Sequence, residues 1–153
     1  IMEKKYELTD ETIEVDGYIN LFRIRALKDF GDVKAGDLGG FIEDEDNLSH
    51  ENDCWIYNDA KVHSFAKIYD SAKIYNNAQV RYSAEVFGNA KIYNNAKIDG
   101  GHIFGHTQIY GNVIIDADSR IYGNTKIYDN SKACKQTMTA QNSGSSEKDV
   151  IPF

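Results

Sequence analysis

The chain has 153 residues, two cysteines and a formal charge of −7, room for one domain or for a capped repeat array. Cys54 and Cys134 are too few and too far apart for a disulfide framework, and no apolar run approaches membrane-span length. These features argue against a disulfide-stapled secreted scaffold and a helical membrane protein. With no signal-peptide pattern at the start, a cytoplasmic protein is expected.

The first 53 residues are non-repetitive. Thr12 to Val15, the pair Asp16-Gly17 and then Tyr18 to Ala26 predict a β-hairpin, because Asp-Gly supplies the positive φ angles of a two-residue turn. Phe30 to Ile42 is rich in Gly and Asp, which predicts short strands with tight corners. The acidic run Glu43, Asp44, Glu45 and Asp46 reads as a solvated loop, with a second reading as a nucleic-acid mimic that occupies a basic groove on another protein. Residues 1–54 carry 6 basic and 15 acidic residues, a net of −9, while residues 55–135 carry 10 and 7, a net of +3. The molecule should therefore have a charge dipole along its length.

From Ile56 onward the pattern has a period of six. Aliphatic residues recur at Ile56, Val62, Ile68, Ile74, Val80, Val86, Ile92 and Ile98, then after a one-residue slip at Ile103, Ile109, Ile115, Ile121 and Ile127. Two positions before each stands a small residue in most cases, Ala60, Ala66, Ala72, Ala78, Ala84, Ala90 and Ala96 among them, with Cys54 on the first such position. This period is neither helical nor that of a plain amphipathic strand. It describes a short strand with two inward side chains followed by a turn, three of which make an 18-residue triangular coil. The corners hold Asn58-Asp59, Asn76-Asn77, Gly88-Asn89, Asn94-Asn95 and similar pairs, residues that tolerate the left-handed backbone. At the slip, Gly100-Gly101 predicts one tightened corner through which the coil continues. About thirteen strands, a little over four coils, are expected over residues 54–134. A solenoid leaves unpaired strand edges at its ends, so residues 1–53 are expected to be an N-terminal β cap. The tail, residues 135–153, lacks the repeat and is either flexible or folded over the last coil, with Val150, Ile151 and Phe153 as apolar plugs.

An aliphatic residue with a small residue four positions later resembles the motif of the hexapeptide-repeat superfamily, over about half of the chain. The resemblance implies an all-β fold, a left-handed parallel β-helix; the left hand comes from the family, since ordinary crossovers favour the right. Named enzymes of that superfamily are acyltransferases and γ-type carbonic anhydrases, usually trimeric. The stretches Phe22 to Leu27, Gly39-Gly40-Phe41-Ile42-Glu43 and Asn47-Leu48-Ser49, leading into repeats such as Ala72-Lys73-Ile74-Tyr75, are most similar to bacterial and phage hexapeptide proteins labelled transferases by fold alone.

Residues on either side of each inward aliphatic must point outward. On the first face these are Tyr57, Tyr75, Tyr93, Tyr110 and Tyr128, beside Trp55, Lys73, Lys91, Gln108 and Lys126. The second face carries His63, Arg81, Asp99 and Asp116, and the third Tyr69, Phe87, Phe104 and Tyr122. Two faces thus present aromatic columns whose rings stack at the strand spacing. One account is the β propensity of Tyr in a copied repeat. The other is a contact surface for a second copy, as a trimer or a dimer, or for a protein partner. Lys interleaved with Tyr also suits stacked bases, but the basic excess is small and no nucleic-acid module is recognisable, so nucleic acid is disfavoured.

No catalytic residue, metal ligand or cofactor is assigned from the sequence. An acyltransferase needs a histidine base; His63 qualifies by chemistry alone, with no acidic partner at a fixed spacing. His63, His102 and His106 could supply the three imidazoles of a γ-carbonic-anhydrase-like zinc site, although the last two lie four apart where the family has five. The favoured reading is a non-catalytic binding or structural module. Its phage-like extension is a protein that blocks host defence machinery such as a nuclease, as an anti-CRISPR protein does.

Overall fold

The computed structural model describes residues 3–129 and the strand segments Cys134–Gln136 and Thr139–Asn142. Thirteen strands of two to four residues run from Trp55–Ile56 to Lys126–Ile127, and their parallel pairing stacks them into three sheets. Two sheets have five strands, so the chain winds through about five coils. This is the parallel β-solenoid expected from the hexad. Partners lie 18 residues apart at Trp55↔Lys73 and Lys73↔Lys91, then 17 apart at Lys91↔Gln108, across the slip.

The inward aliphatics form three internal stacks, and Ile56, Ile74, Ile92, Ile109 and Ile127 on the first face are all fully buried. The small position closes the prism beside them. Where it changes from Ala to a hydroxyl residue, the buried oxygen is satisfied: Thr107 Oγ1 donates to the Phe104 carbonyl at 2.8 Å, and Thr125 Oγ1 to that of Tyr122 at 2.8 Å. Backbone amides hydrogen-bond from coil to coil, as from Tyr75 to Ile92 O at 2.9 Å and from Tyr93 to Ile109 O at 3.0 Å.

Corners turn where the residue two past the aliphatic takes a positive φ, as at Asn58 (57°), Asn76 (58°) and Asn94 (57°). These asparagines do more than tolerate the geometry. The Asn58 Oδ1 accepts the Asn76 N–H at 2.9 Å, and Asn76 Oδ1 accepts that of Asn94 at 3.0 Å, so successive corners are tied along the shaft. The shortened corner is open only to glycine. Gly101 has φ 87°, and a Cβ there would lie 2.5 Å from the Ser119 carbonyl oxygen.

The head forms β1 (Tyr6–Val15), β2 (Ile19–Ala26) and β3 (Leu38–Ile42). The hairpin turns at Asp16 (φ 53°) and Gly17 (φ 78°) as expected, but β1 begins six residues before Thr12. Its first half is interrupted by the polar run Thr9 to Thr12, and a register shift between Leu8 and Thr12 lets Tyr6 to Leu8 pair with Ile24 to Ala26. The head extends the second face rather than sitting apart from it. Strand β3 pairs in parallel with Lys61–Val62, and Leu48 bridges Ile68, so Ile42 and Leu48 occupy places in a half-coil ahead of Ile56. Gly39 and Gly40 permit this approach, since a Cβ on Gly40 would lie 2.5 Å from the Ala60 carbonyl oxygen. At the other end, Cys134–Gln136 pairs with Val113–Ile115 and Thr139–Asn142 with Arg120–Gly123, which carries the backbone ladder past residue 134, where the hexad pattern ends. The expected plug of Val150, Ile151 and Phe153 lies outside the described residues. Among the described residues no helix is long and apolar enough to cross a membrane.

Candidate interaction surface

The first-face column is built by residues one past each inward isoleucine, on strands held in register by the sheet. Tyr75 and Tyr93 stack at 4.7 Å between ring centroids and 4° between planes, Tyr93 and Tyr110 at 4.9 Å and 7°, Tyr110 and Tyr128 at 5.1 Å and 9°. Tyr57 departs from the expected stacking and meets Tyr75 edge-on, at 6.2 Å and 82°. The head is the cause: Tyr57 donates its hydroxyl to Asp32 Oδ1 at 2.8 Å. Lys73 reaches the same carboxylate at 3.8 Å. The third-face column is fully stacked, with Tyr69–Phe87 at 4.7 Å, Phe87–Phe104 at 4.9 Å and Phe104–Tyr122 at 5.3 Å. All nine rings are half-buried, each covering its neighbour.

Burial holds the phenols of Tyr57, Tyr69 and Tyr75 in their neutral form. Tyr75 is pushed up to about 12 by burial and then by Tyr93. Tyr69 is raised by burial and by its hydrogen bond to Glu85 Oε1 at 2.7 Å. Arg120 places its guanidinium 5.1 Å from the Phe104 centroid and 5.6 Å from that of Tyr122, a cation–π contact that closes one side of the column.

Two residues expected on the outside are buried. Trp55 is 1% exposed because the head folds over it: Phe30 meets its ring edge-on at 5.2 Å, and Tyr6 at 6.1 Å. His63 is also 1% exposed, and burial holds its imidazole below the usual histidine range, aided by the Arg81 charge and opposed by Asp16 and Glu43. The next two members of that column form an ion pair, Arg81 Nε to Asp99 Oδ1 at 2.8 Å.

The acidic run is largely engaged within the chain instead of lying in a solvated loop. Glu43 Oε1 accepts the Ser64 N–H at 2.7 Å, and Asp44 caps a 3-10 turn over Glu45–Asn47. Glu45 pairs with Lys4 at 3.1 Å and with His50 Nε2 at 2.7 Å. His50 Nδ1 accepts the Lys5 N–H at 3.0 Å, so both ring nitrogens are used structurally. His102 Nε2 stands 3.9 Å from Glu85 Oε2 on the third face, and His106 is exposed at the following corner. Among the described residues no group of three or more His, Cys, Asp or Glu side chains could hold a metal ion.

Among the described residues, the most exposed aromatic side chains lie outside the columns that the repeat predicts. Phe65 is 81% exposed, Tyr18 77% and Tyr82 49%. Phe65 and Tyr82 are aromatic at corners where other coils carry small or polar residues, and that departure is the available signal.

No protein-family model matches the chain. A protein of Escherichia coli (strain K12) named uncharacterized acetyltransferase YdcK is 41% identical over 61 residues, which cover 35% of this chain and 19% of that protein. The chain therefore matches about a fifth of that relative's length. The hexad register, the three-faced parallel solenoid and this relative together fit a hexapeptide-repeat family, one in which transferase names occur.

Proposed function

We propose that the chain is a non-catalytic binding module that contacts a protein, a second copy or another partner, through its aromatic columns. The supporting observation is the near-parallel stacking of the first-face and third-face rings. Rings already immobilised against one another lose little freedom on docking, and Tyr is favoured at interfaces. Light scattering on the double variant Tyr93→Ser, Tyr110→Ser tests self-association. The native chain is expected above monomer mass and the variant below the native value; an unchanged mass discards self-association through that column.

A finer version makes the partner a host defence nuclease, blocked as an anti-CRISPR protein would block it. It is supported by the resemblance to phage proteins and by the net charge of −9 on residues 1–54. Full cleavage by an RNA-guided nuclease in the presence of excess chain would discard it.

The second reading is an acyltransferase. Its support is the acetyltransferase name of the relative and the approach of His102 to Glu85, an imidazole beside a carboxylate on an open face. Acetyl-coenzyme A should then raise the melting temperature, and no shift at millimolar ligand removes the reading.

A further inference from the structure

The corner between the second and third faces of the first full coil carries Phe65, which is 81% exposed, where most corners of the repeat hold Asn, Asp, Ser or Gly; the next coil places Tyr82, 49% exposed, at the same corner. The backbone that carries it is clamped by the head. Glu43 Oε1 accepts the N–H of Ser64, which sits at φ 61°. The buried Asn47 side chain donates from Nδ2 to the carbonyls on both sides of Phe65, Ser64 O at 3.1 Å and Ala66 O at 2.9 Å. Asn47 is itself held, its Oδ1 accepting the N–H of Glu43 at 3.1 Å and of Asp44 at 2.9 Å. An exposed phenylalanine on a rigidly bracketed corner is a preorganised anchor: its backbone has little freedom left to lose on binding.

The surroundings define what would bind. The hairpin tip presents Tyr18, 77% exposed, and the two rings share a cavity of about 380 Å³ with Glu43, Asp44, Asp46 and Lys67. Three carboxylates against one ammonium leave it acidic, at the end of the molecule where residues 1–54 sum to −9. Aromatic faces beside carboxylates suit a planar cation, which can stack on the rings and donate charge-assisted hydrogen bonds to the carboxylates at once. We propose that this pocket docks an arginine-bearing segment of a partner protein, with Phe65 and Tyr18 as stacking platforms and Asp44 and Asp46 as counter-charges. The proposal rests on the protein-binding reading but not on the stacked columns.

A fluorescein-labelled octa-arginine peptide is the probe, with binding to the full chain followed by anisotropy. Phe65→Ser and Tyr18→Ser should each weaken binding about tenfold or more, the scale of an interface hot spot. Asp44→Asn with Asp46→Asn preserves the cap chemistry and should also weaken binding, which keeps the test decisive if an aromatic variant fails to fold. Tyr93→Ser with Tyr110→Ser should leave the affinity unchanged, whatever it does to the mass of the assembly. Equal affinity for the native chain and Phe65→Ser would mean that the acidic head holds the peptide by charge alone, and would overturn the proposal. So would equal binding of an octa-glutamate peptide. A native oligomer that Phe65→Ser dissolves would assign the pocket to a second copy instead, and overturn it as well.

Discussion

His63 stands at an outward position of the repeat and yet is buried, and its chemistry follows from that. The head covers the second face at this level, and Nδ1 of the ring lies 3.1 Å from Ser64 Oγ. Burial, with the nearby Arg81, holds the imidazole below its ordinary value of 6.5, so the folded chain disfavours the proton that the unfolded chain accepts. The stability linked to His63 is therefore present above about pH 6.5 and is lost as pH falls below it. Urea midpoints between pH 7.5 and 5 should decline in the native chain and decline less in His63→Gln. Parallel declines would show that the imidazole takes no part. Lys5 is a second buried titratable group, and its Nζ donates to the Cys54 carbonyl at 2.7 Å and that of Asn52 at 3.2 Å. Those acceptors account for a fully buried ammonium in an otherwise apolar head core.

Corners are the elements in which this solenoid stores strain. Most use Asn, Asp or Gly at positive φ, but Tyr82 adopts φ 61°, a conformation that disfavours a bulky side chain by about 1–2 kcal/mol. Its ring receives the Arg81 guanidinium at 4.8 Å. That contact is half-exposed, and Arg81 is already fixed by Asp99, so it offsets only about 0.5 kcal/mol. Tyr82→Asn should accordingly stabilise the chain by about 0.5–1 kcal/mol in urea unfolding. A destabilised variant would show that the ring contributes packing beyond the backbone cost. The hexad itself is legible in sequence because inward positions alternate between small and aliphatic residues and corners repeat Asn, Asp and Gly. Tyr57, Trp55 and His63 escape that logic: their surroundings are set by a non-repetitive head. No periodicity says that Asp32 will draw Tyr57 out of its stack, or that Phe30 will cover Trp55. Phe65 and Tyr82 were visible as apolar intrusions in polar corners, a weaker cue than thirteen aliphatic positions in register.

At the scale of the whole molecule, the solenoid is a one-dimensional stack whose stability sums over contacts between neighbouring coils. Removing residues 73–90 joins Ala72 to Lys91, and both Ala90 and Ala72 are buried small residues that precede a Lys-Ile strand. Each remaining side chain keeps its face, with Tyr93 brought next to Tyr57 and Phe104 next to Tyr69. Removing only residues 73–78 keeps the aliphatics inward but turns all later columns by one face. The tyrosine column is then broken, and the Asn58, Asn76 and Asn94 ties between corners are lost with it. Both shortened chains keep the inward hexad, and the six-residue deletion retains two more strands, so only the loss of its outward stacking can place it below the other. The 18-residue deletion should melt cooperatively below the native chain, by the contribution of one coil interface. The six-residue deletion should melt lower still, although it removes less chain. A higher melting temperature by circular dichroism for the six-residue deletion would mean that the inward stacks alone specify the prism and that the outward columns add nothing to its stability. A lower temperature for the shorter deletion assigns the difference to ring stacking and corner hydrogen bonds, the interactions that an inward pattern cannot supply.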